Sequence, residues 1–279
     1  MVYIVIPVHN RIEKTVKCLG SIYRQSVDEI KIVVVDDGST DQTQEVLTDM
    51  FPEVVILQGS GSLFWTGAVA LGIDYVLNVC NESDWVLLVN NDIQMEIDTI
   101  EKLINFAEKK DVIVNALSLD MVDKDTIIKS GTRINSWLFN STDHVLQGKS
   151  FSKLESLKAI QVDLLTGRCL LHPAGIFSKT DNYDFERFPH YGGDDEFSVR
   201  TSCLGYKLYV LPSAIVYLDG SSNVNNLKKT GVLSHFFGIR SSSNIVNKWN
   251  FTKLCVPPLA RPTYYLFAVF KSIFTYLRR

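Results

Sequence analysis

Gly192-Gly193-Asp194-Asp195-Glu196 sets three carboxylates in consecutive positions behind two glycines. If a helix starts there, its N-terminal partial charge favours their ionised forms. Repulsion between them raises at least one pKa. A carboxylate between those two influences can take the proton of an attacking hydroxyl. Asp194 and Asp195 are therefore candidate catalytic residues, although stabilising a helix start is a plainer use of the same side chains.

Two further acidic groups follow apolar runs. Asn90-Asn91-Asp92 comes directly after Val86–Val89. A carboxylate there can hold a hard divalent cation against phosphate oxygens, because magnesium often takes few protein carboxylates. Asp36-Asp37-Gly38-Ser39 follows Ile30–Val35, where acidic side chains can accept hydrogen bonds from a ribose or a base. Either group is also an ordinary turn, since Asn, Asp, Gly and Ser are turn residues.

Other residues could serve the same ligand. Phe64 and Trp65 follow a run of Gly and Ser; Trp65 could stack on a ring, whereas core packing is the preferred reading for Phe64. Thr166-Gly167-Arg168 interrupts an apolar stretch and offers a guanidinium to phosphate or acceptor. His190 and Tyr191 stand just before the acidic cluster. Gly192–Phe197 shares letters with the GGDEF signature of diguanylate cyclases, but the extra Asp breaks that register.

The elements that must position these residues are legible in hydrophobic periodicity. Tyr3–Val8, Ile30–Val35, Val54–Leu57 and Trp85–Val89 read as buried strands. Residues 12–25, Trp65–Val79 and Ile97–Lys109 read as helices, and Thr40 or Asp41 could cap another. Such alternation predicts a mostly parallel sheet with its ligand at the carboxyl ends of the strands. The second half is less regular. Val162–Leu171 reads as a strand broken at Thr166–Arg168, Asp195–Leu204 as a helix, and the chain around Pro212 as a strand pair.

Composition narrows the class. With 46% apolar and 21% charged residues in 279, the chain has the makeup of a globular α/β protein. Its five cysteines form no CxxC pair, which argues against a zinc site and for a reducing, cytoplasmic setting. The first ten residues read as a strand and not as a signal peptide, and no apolar run is long enough to span a bilayer. Charge is uneven: no Asp or Glu follows Asp219, while nine basic residues do, so residues 1–219 carry −12 of a net −3. That basic tail points to an anionic surface or ligand, or to a solvated basic face.

The segments PVHNR (7–11), VVVDDGSTD (33–41), LLVNNDI (87–93), LLTGRCLLHP (164–173), GGDDEFSVR (192–200) and LGYKLYVLPSAIVY (204–217), in this order, resemble bacterial family 2 glycosyltransferases. WTG (65–67), TGR (166–168) and FPHY (188–191) resemble segments of the rhamnosyltransferase-like enzymes of surface polysaccharides. The resemblance covers about residues 1–245. It implies an α/β, GT-A-type nucleotide-diphospho-sugar transferase fold, with a mostly parallel central sheet and a helical C-terminal extension. Residues 1–245 would be the catalytic domain, divided into a nucleotide-sugar half (1–110) and an acceptor half (111–245), with 246–279 a basic, aromatic-rich extension.

By resemblance, Pro7, Val8, Asn10 and Arg11 belong to the nucleotide-contacting first loop, and Asp37 reads the base beside Asp36. Asn90-Asn91-Asp92 takes the place of the family's DxD motif, with Asp92 as the Mg2+ or Mn2+ ligand and Asp194 as the base. Thr166, Gly167, Arg168, His190 and Tyr191 would meet acceptor or phosphate. The sequence departs from the family twice: the first DxD carboxylate is Asn90, and the family's His after the late strand is replaced by Leu218-Asp219. Asp219 or His235 could supply that late ligand.

The implied reaction is an inverting displacement, moving a sugar from a UDP- or dTDP-sugar to a hydroxyl of a glycan or lipid-linked acceptor. No nucleic-acid partner is expected. Three rivals are a nucleotidyltransferase, a non-catalytic nucleotide-sugar-binding protein and a glycoside hydrolase. The first would want a glycine-rich basic loop that PVHNR lacks, and the last would leave Asp36–Ser39 and Asn90–Asp92 without a role. Residues 262–277, PTYYLFAVFKSIFTYL, carry one charge and are followed by Arg278-Arg279. They are expected to lie on an anionic membrane, on the inner face of the cytoplasmic membrane, or else to form a dimer interface or a helix packed on the catalytic domain.

Overall fold

The computed structural model describes residues 1–110, 112–135, 141–154, 158–219 and 231–278; Lys228, Lys229 and Arg279 of the basic tail lie outside them. The first part runs β1 (Val2–Val8), α1 (Ile12–Ile22), β2 (Ile30–Asp36), α2 (Thr43–Met50), β3 (Val55–Gln58), α3 (Phe64–Leu77), β4 (Trp85–Val89), β5 (Ile93–Met95) and α4 (Thr99–Glu108). Then come β6 (Ile113–Asp120), β7 (Ile127–Lys129), β8 (Thr132–Asn135), β9 (Ser141–His144), β10 (Ile160–Val162), β11 (Cys169–Pro173), α5 (Phe177–Thr180), α6 (Gly193–Cys203) and β12 (Leu208–Leu218). Three helices follow: α7 (Val232–Phe237), α8 (Ile245–Cys255) and α9 (Arg261–Leu277).

β1 explains why the apolar runs are continuous. Val2, Ile4, Ile6 and Val8 pack on one side with Leu19 and Ile22 of α1 and Leu103 of α4. Tyr3 and Val5 pack on the other with Val69, Ile73 and Val76 of α3. A strand covered on both faces needs apolar residues at successive positions. Gly72 lets α3 approach closely, since a Cβ there would lie 2.4 Å from Val5 Cγ1.

The main sheet is ordered β10-β12-β6-β11-β4-β1-β2-β3, with β5 on β12 and β7 on β6, while β8 and β9 pair separately. Pairing is parallel across β4-β1-β2-β3 and between β6 and β12. β11 enters antiparallel between β4 and β6. Its first residue, Cys169, therefore sits opposite the last residue of β4, Val89. That single reversal brings Thr166–Arg168 to the edge where Asn90–Asp92 leave the sheet, and the Asn90 N–H donates to the Arg168 carbonyl at 3.4 Å.

Two local expectations change. Val162–Leu171 is not one interrupted strand: β10 lies on β12 and β11 lies between β4 and β6. The chain around Pro212 is one strand, β12, whose pairing with β6 shifts register between Leu211 and Ile215. Proline has no N–H for the ladder, so it is accommodated at this irregularity.

Candidate active site

A cavity of about 940 Å³ opens at the carboxyl ends of β1, β2 and β4. That size lies within the usual range for small-molecule sites. Pro7, Val8, Arg11, Asp37, Trp65, Asn90, Asn91, Asp92, Thr166, Gly167, Arg168, His190, Tyr191, Asp194 and Asp195 all line it. Asn10 and Asp36 do not.

Those two act on loops. The Asn10 side-chain oxygen accepts from the Thr40 N–H at 2.9 Å, and its own N–H donates to Ser39 Oγ at 2.7 Å. Asp36 Oδ1 accepts from the Ser39 N–H at 2.9 Å. Gln42 takes the N-cap position of α2, and Asp41 before it ties two helix starts together: its Oδ1 accepts from Thr43 Oγ1 at 2.5 Å and its Oδ2 from the Ile12 N–H of α1 at 3.0 Å. Asp37 lines the cavity with its carboxylate held by backbone. Oδ1 accepts from Gly61 and Leu63, and Oδ2 from Phe64, between 2.8 and 3.2 Å. It thus sets the loop that leads into α3.

Both aromatics line the cavity, Trp65 as expected and Phe64 against the expectation of core packing. Phe64, in the left-handed region at φ 55, lines the cavity, with the His190 ring edge-on to it and the Arg240 guanidinium 5.5 Å from its centre. Trp65 is a support. Its indole N–H donates to Asn90 Oδ1 at 2.8 Å, and Gly167 passes so close that a Cβ there would meet the ring at 2.2 Å. The Asn91 amide donates to Thr15 Oγ1 at 3.0 Å, in the interior.

Asp92 is the remaining member of that triplet. Its Oδ1 is buried without a hydrogen-bond partner in the wall of the cavity. A hard oxygen donor so placed fits Mg2+ or Mn2+, which fill their other positions with water and phosphate oxygens. Among the described residues no group of three His, Cys, Asp or Glu gathers around a common point, so a cation at Asp92 would take most of its ligands from water and phosphate. Of the late ligands foreseen in sequence, Asp219 lies beside Asp92, its N–H donating to the Asp92 carbonyl at 3.2 Å. Asp219 Oδ2 pairs with Lys14 Nζ at 2.7 Å, and buried His235 donates from Nε2 to the Ser272 carbonyl at 2.9 Å. Neither lines the cavity.

The acidic cluster divides its labour. Glu196 is buried and faces away, in an ion pair with Arg200 at 2.8 Å. Asp194 turns to the TGR loop, with Oδ2 3.4 Å from the Gly167 N–H. Burial raises the Asp194 carboxyl, against backbone N–H bonds and nearby Arg168. Burial, then Asp194, raises the Asp195 carboxyl to about 8, with Lys129 and Lys248 opposing. Two adjacent carboxyls in one low-dielectric wall hold a proton between them. His190 is pushed down to about 4 by burial, then by Arg240 and Arg11, so its imidazole is neutral at pH 7.

Several lining residues have no motif. Lys129 follows Ile128 in β7, Arg240 follows α7, Lys248 and Phe251 belong to α8, and Tyr264, Ala268 and Lys271 to α9. The acid-free segment 220–279 suggested an anionic partner or a solvated basic face, but not that α8 and α9 would wall the same cavity. The division expected at 245/246 therefore does not separate the site from the C-terminal segment.

Residues 3–165 match the model of glycosyl transferase family 2. The chain belongs to that family. Its relatives include the N-acetylglucosaminyl-diphospho-decaprenol L-rhamnosyltransferase of Mycobacterium tuberculosis, 24% identical over 71% of this chain and 69% of that one. Glycosyltransferase GlyG of Streptococcus pneumoniae serotype 4 is 22% identical over 88% of this chain and 77% of its own. Among solved structures, S. aureus TarS residues 1–349 with UDP superposes with TM-score 0.60 at 15% identity, over 99% of this family 2 chain and 88% of that one. GalNAc-T7 with UDP, GalNAc and Mn2+ gives TM-score 0.62 at 14% identity over 78% of this chain, which spans 43% of that structure. The α/β fold with a central sheet and C-terminal helices is thus that of GT-A glycosyltransferases.

Proposed function

We propose that this family 2 chain is an inverting, cation-assisted glycosyltransferase, moving a sugar from a UDP- or dTDP-sugar to a hydroxyl of a glycan or lipid-linked acceptor in bacterial surface-polysaccharide synthesis. The observation that carries this reading is continuity. Asp92 with its unpartnered oxygen, the TGR loop and Asp194 line one cavity and are joined through Asn90–Arg168 and Gly167–Asp194 hydrogen bonds.

In the reaction so read, the acceptor oxygen attacks the anomeric carbon as Asp194 takes its proton. The carbon–oxygen bond to the diphosphate breaks on the opposite face, and the nucleoside diphosphate leaves with the bonding pair. A divalent cation held by Asp92 would supply Lewis-acid stabilisation of the departing charge. Arg11 and Arg240, beside neutral His190, add fixed positive charge on the nucleotide side. The raised carboxyls suit a base working near neutral pH.

The C-terminal face supports a lipid-linked acceptor. Tyr264, Ala268 and Lys271 of α9 face the cavity. On other faces of α9 and the turn before it, Leu259, Leu266, Phe270 and Leu277 are 60–85% exposed. No described helix is long and apolar enough to cross a membrane. An apolar stripe beside Lys253, Arg261 and Arg278, in a region with no acidic residue, is suited to the interface of an anionic bilayer.

The test is a panel of UDP-, dTDP- and GDP-sugars in thermal shift with and without Mn2+, because stabilisation follows ligand concentration over Kd. One nucleotide class should stand out and depend on Mn2+. Product NMR should then show inversion. Indifference to every nucleotide sugar would remove the reading.

A further inference from the structure

Among the described residues, six cationic side chains line the cavity against four carboxylates, Asp37, Asp92, Asp194 and Asp195. Apart from Arg168 of the TGR loop, the cations fall into two groups. Arg11 and Arg240 flank His190 near Phe64. Lys129, Lys248 and Lys271 line the cavity with the acidic pair. Lys129 faces Asp194, Asp195 and Arg168, and Lys248 faces Asp195 and Lys271. His144 of β9, also in the wall, faces Lys129 and Lys271.

Two observations separate this group from structural ion pairing. Among the described residues, neither Lys129 nor Lys248 has a carboxylate within 4.0 Å, although Asp195 is close enough to be felt. Both are also only partly exposed, so water does not fully solvate them. Burying ammonium groups without paired carboxylates is costly, and Lys271, exposed in the same wall, adds a like charge that opposes Lys248. Such an arrangement is relieved when an anion enters. Phe251, Tyr264 and Ala268 lie in the same wall, which makes this end apolar between its charges.

We propose that Lys129, Lys248 and Lys271 form a second anion subsite, which receives a phosphate or diphosphate carried by the acceptor and so presents the acceptor hydroxyl to the Asp194–Asp195 pair. This rests on the proposed function, which makes that end of the cavity the acceptor end. The three lysines act on the acceptor's phosphate and not on the reacting atoms. Lysine suits this task as a compact, mobile point charge that does not impose the planar geometry of arginine.

The experiment fills the donor site first. Protein saturated with the nucleoside diphosphate found in the donor panel is titrated with inorganic pyrophosphate by calorimetry. Pyrophosphate should bind the filled protein, and Lys129→Met and Lys248→Met should each weaken it at least tenfold while nucleotide Kd and circular dichroism hold. Kinetics with matched acceptors, a glycosyl diphosphate and its neutral alkyl glycoside, should show a KM preference for the diphosphate that Lys248→Met abolishes. The preference should be the same size with a methyl diphosphate as with a polyprenyl diphosphate. Pyrophosphate that competes with the nucleotide and does not bind beside it overturns the subsite. So does a preference that appears only with the polyprenyl chain. Absence of any nucleotide binding overturns the proposed function itself, and the subsite with it.

Discussion

The indole N–H of Trp65 donates to Asn90 Oδ1 at 2.8 Å, joining the first turn of α3 to the end of β4. The bond uses up the side chain that replaces the first carboxylate of the family motif. It also leaves Asp92, two residues on, as the carboxylate of that triplet in the cavity wall.

Asp92→Ala should therefore abolish turnover and the Mn2+-dependent part of nucleotide binding while the fold persists. Thermal shift with and without Mn2+ measures the binding, and a variant that keeps full metal-dependent stabilisation would show that another residue holds the cation.

Asp194→Asn should lower kcat by about two to four decades, the usual contribution of a general base, with donor affinity kept. In the parent enzyme kcat/KM should climb with pH, because raised carboxyls are still partly protonated below neutrality. If Asp195→Asn is dead and Asp194→Asn active, the two exchange roles.

Stability should respond to Asp195 in the opposite sense. Its carboxyl is raised from 3.8 to about 8, so between those values the folded chain keeps a proton that the unfolded chain has released. Stability contributed by this group is then present at low pH and lost as pH rises through that window. Asp195→Asn should flatten that slope and raise Tm at pH 8 by a few degrees, on the scale of roughly 2–4 °C per kcal/mol for chains near this size. Differential scanning calorimetry from pH 5 to 8 reads both effects, and a Tm that drops at pH 8 contradicts the assignment.

Gly167→Ala would set a methyl 2.2 Å from the Trp65 ring. Overpacking of this kind costs about 1–3 kcal/mol. Activity should fall with Tm, since the displaced ring would release Asn90. Trp65→Phe should recover part of the Tm in the double variant but not the Asn90 hydrogen bond. Additive losses in that cycle would mean the two residues do not interact.

The membrane face is best tested without deleting α9, because Tyr264 and Lys271 line the cavity. Leu266→Glu with Phe270→Glu alters exposed positions instead. The parent protein should float with anionic liposomes, less so at high salt, and the double variant should stay below. Failure of the parent to float, with a dimer in sedimentation that the variant breaks, would assign this face to a second copy.

The order of elements was legible in sequence because buried parallel strands and amphipathic helices have distinct apolar periods. The acidic groups at Asp37 and Asp92, at strand ends, and at Asp194, at a helix start, were legible because Gly, Asn and Asp punctuate the apolar runs. Tertiary structure decided how these residues are used. Phe64 and Trp65 are adjacent and chemically alike, so periodicity does not say how each is used; in the fold both line the cavity, and the Trp65 indole also holds Asn90. The antiparallel entry of β11 put Thr166–Arg168 beside Asn90, a contact 75 or more residues apart in the chain that no local pattern encodes. Likewise, nine basic residues after Asp219 suggested an anionic partner or a solvated face. That Lys248 and Lys271 line the cavity beside Lys129 depends on how α8 and α9 pack, because charge patterns carry sign along the chain but not position in space.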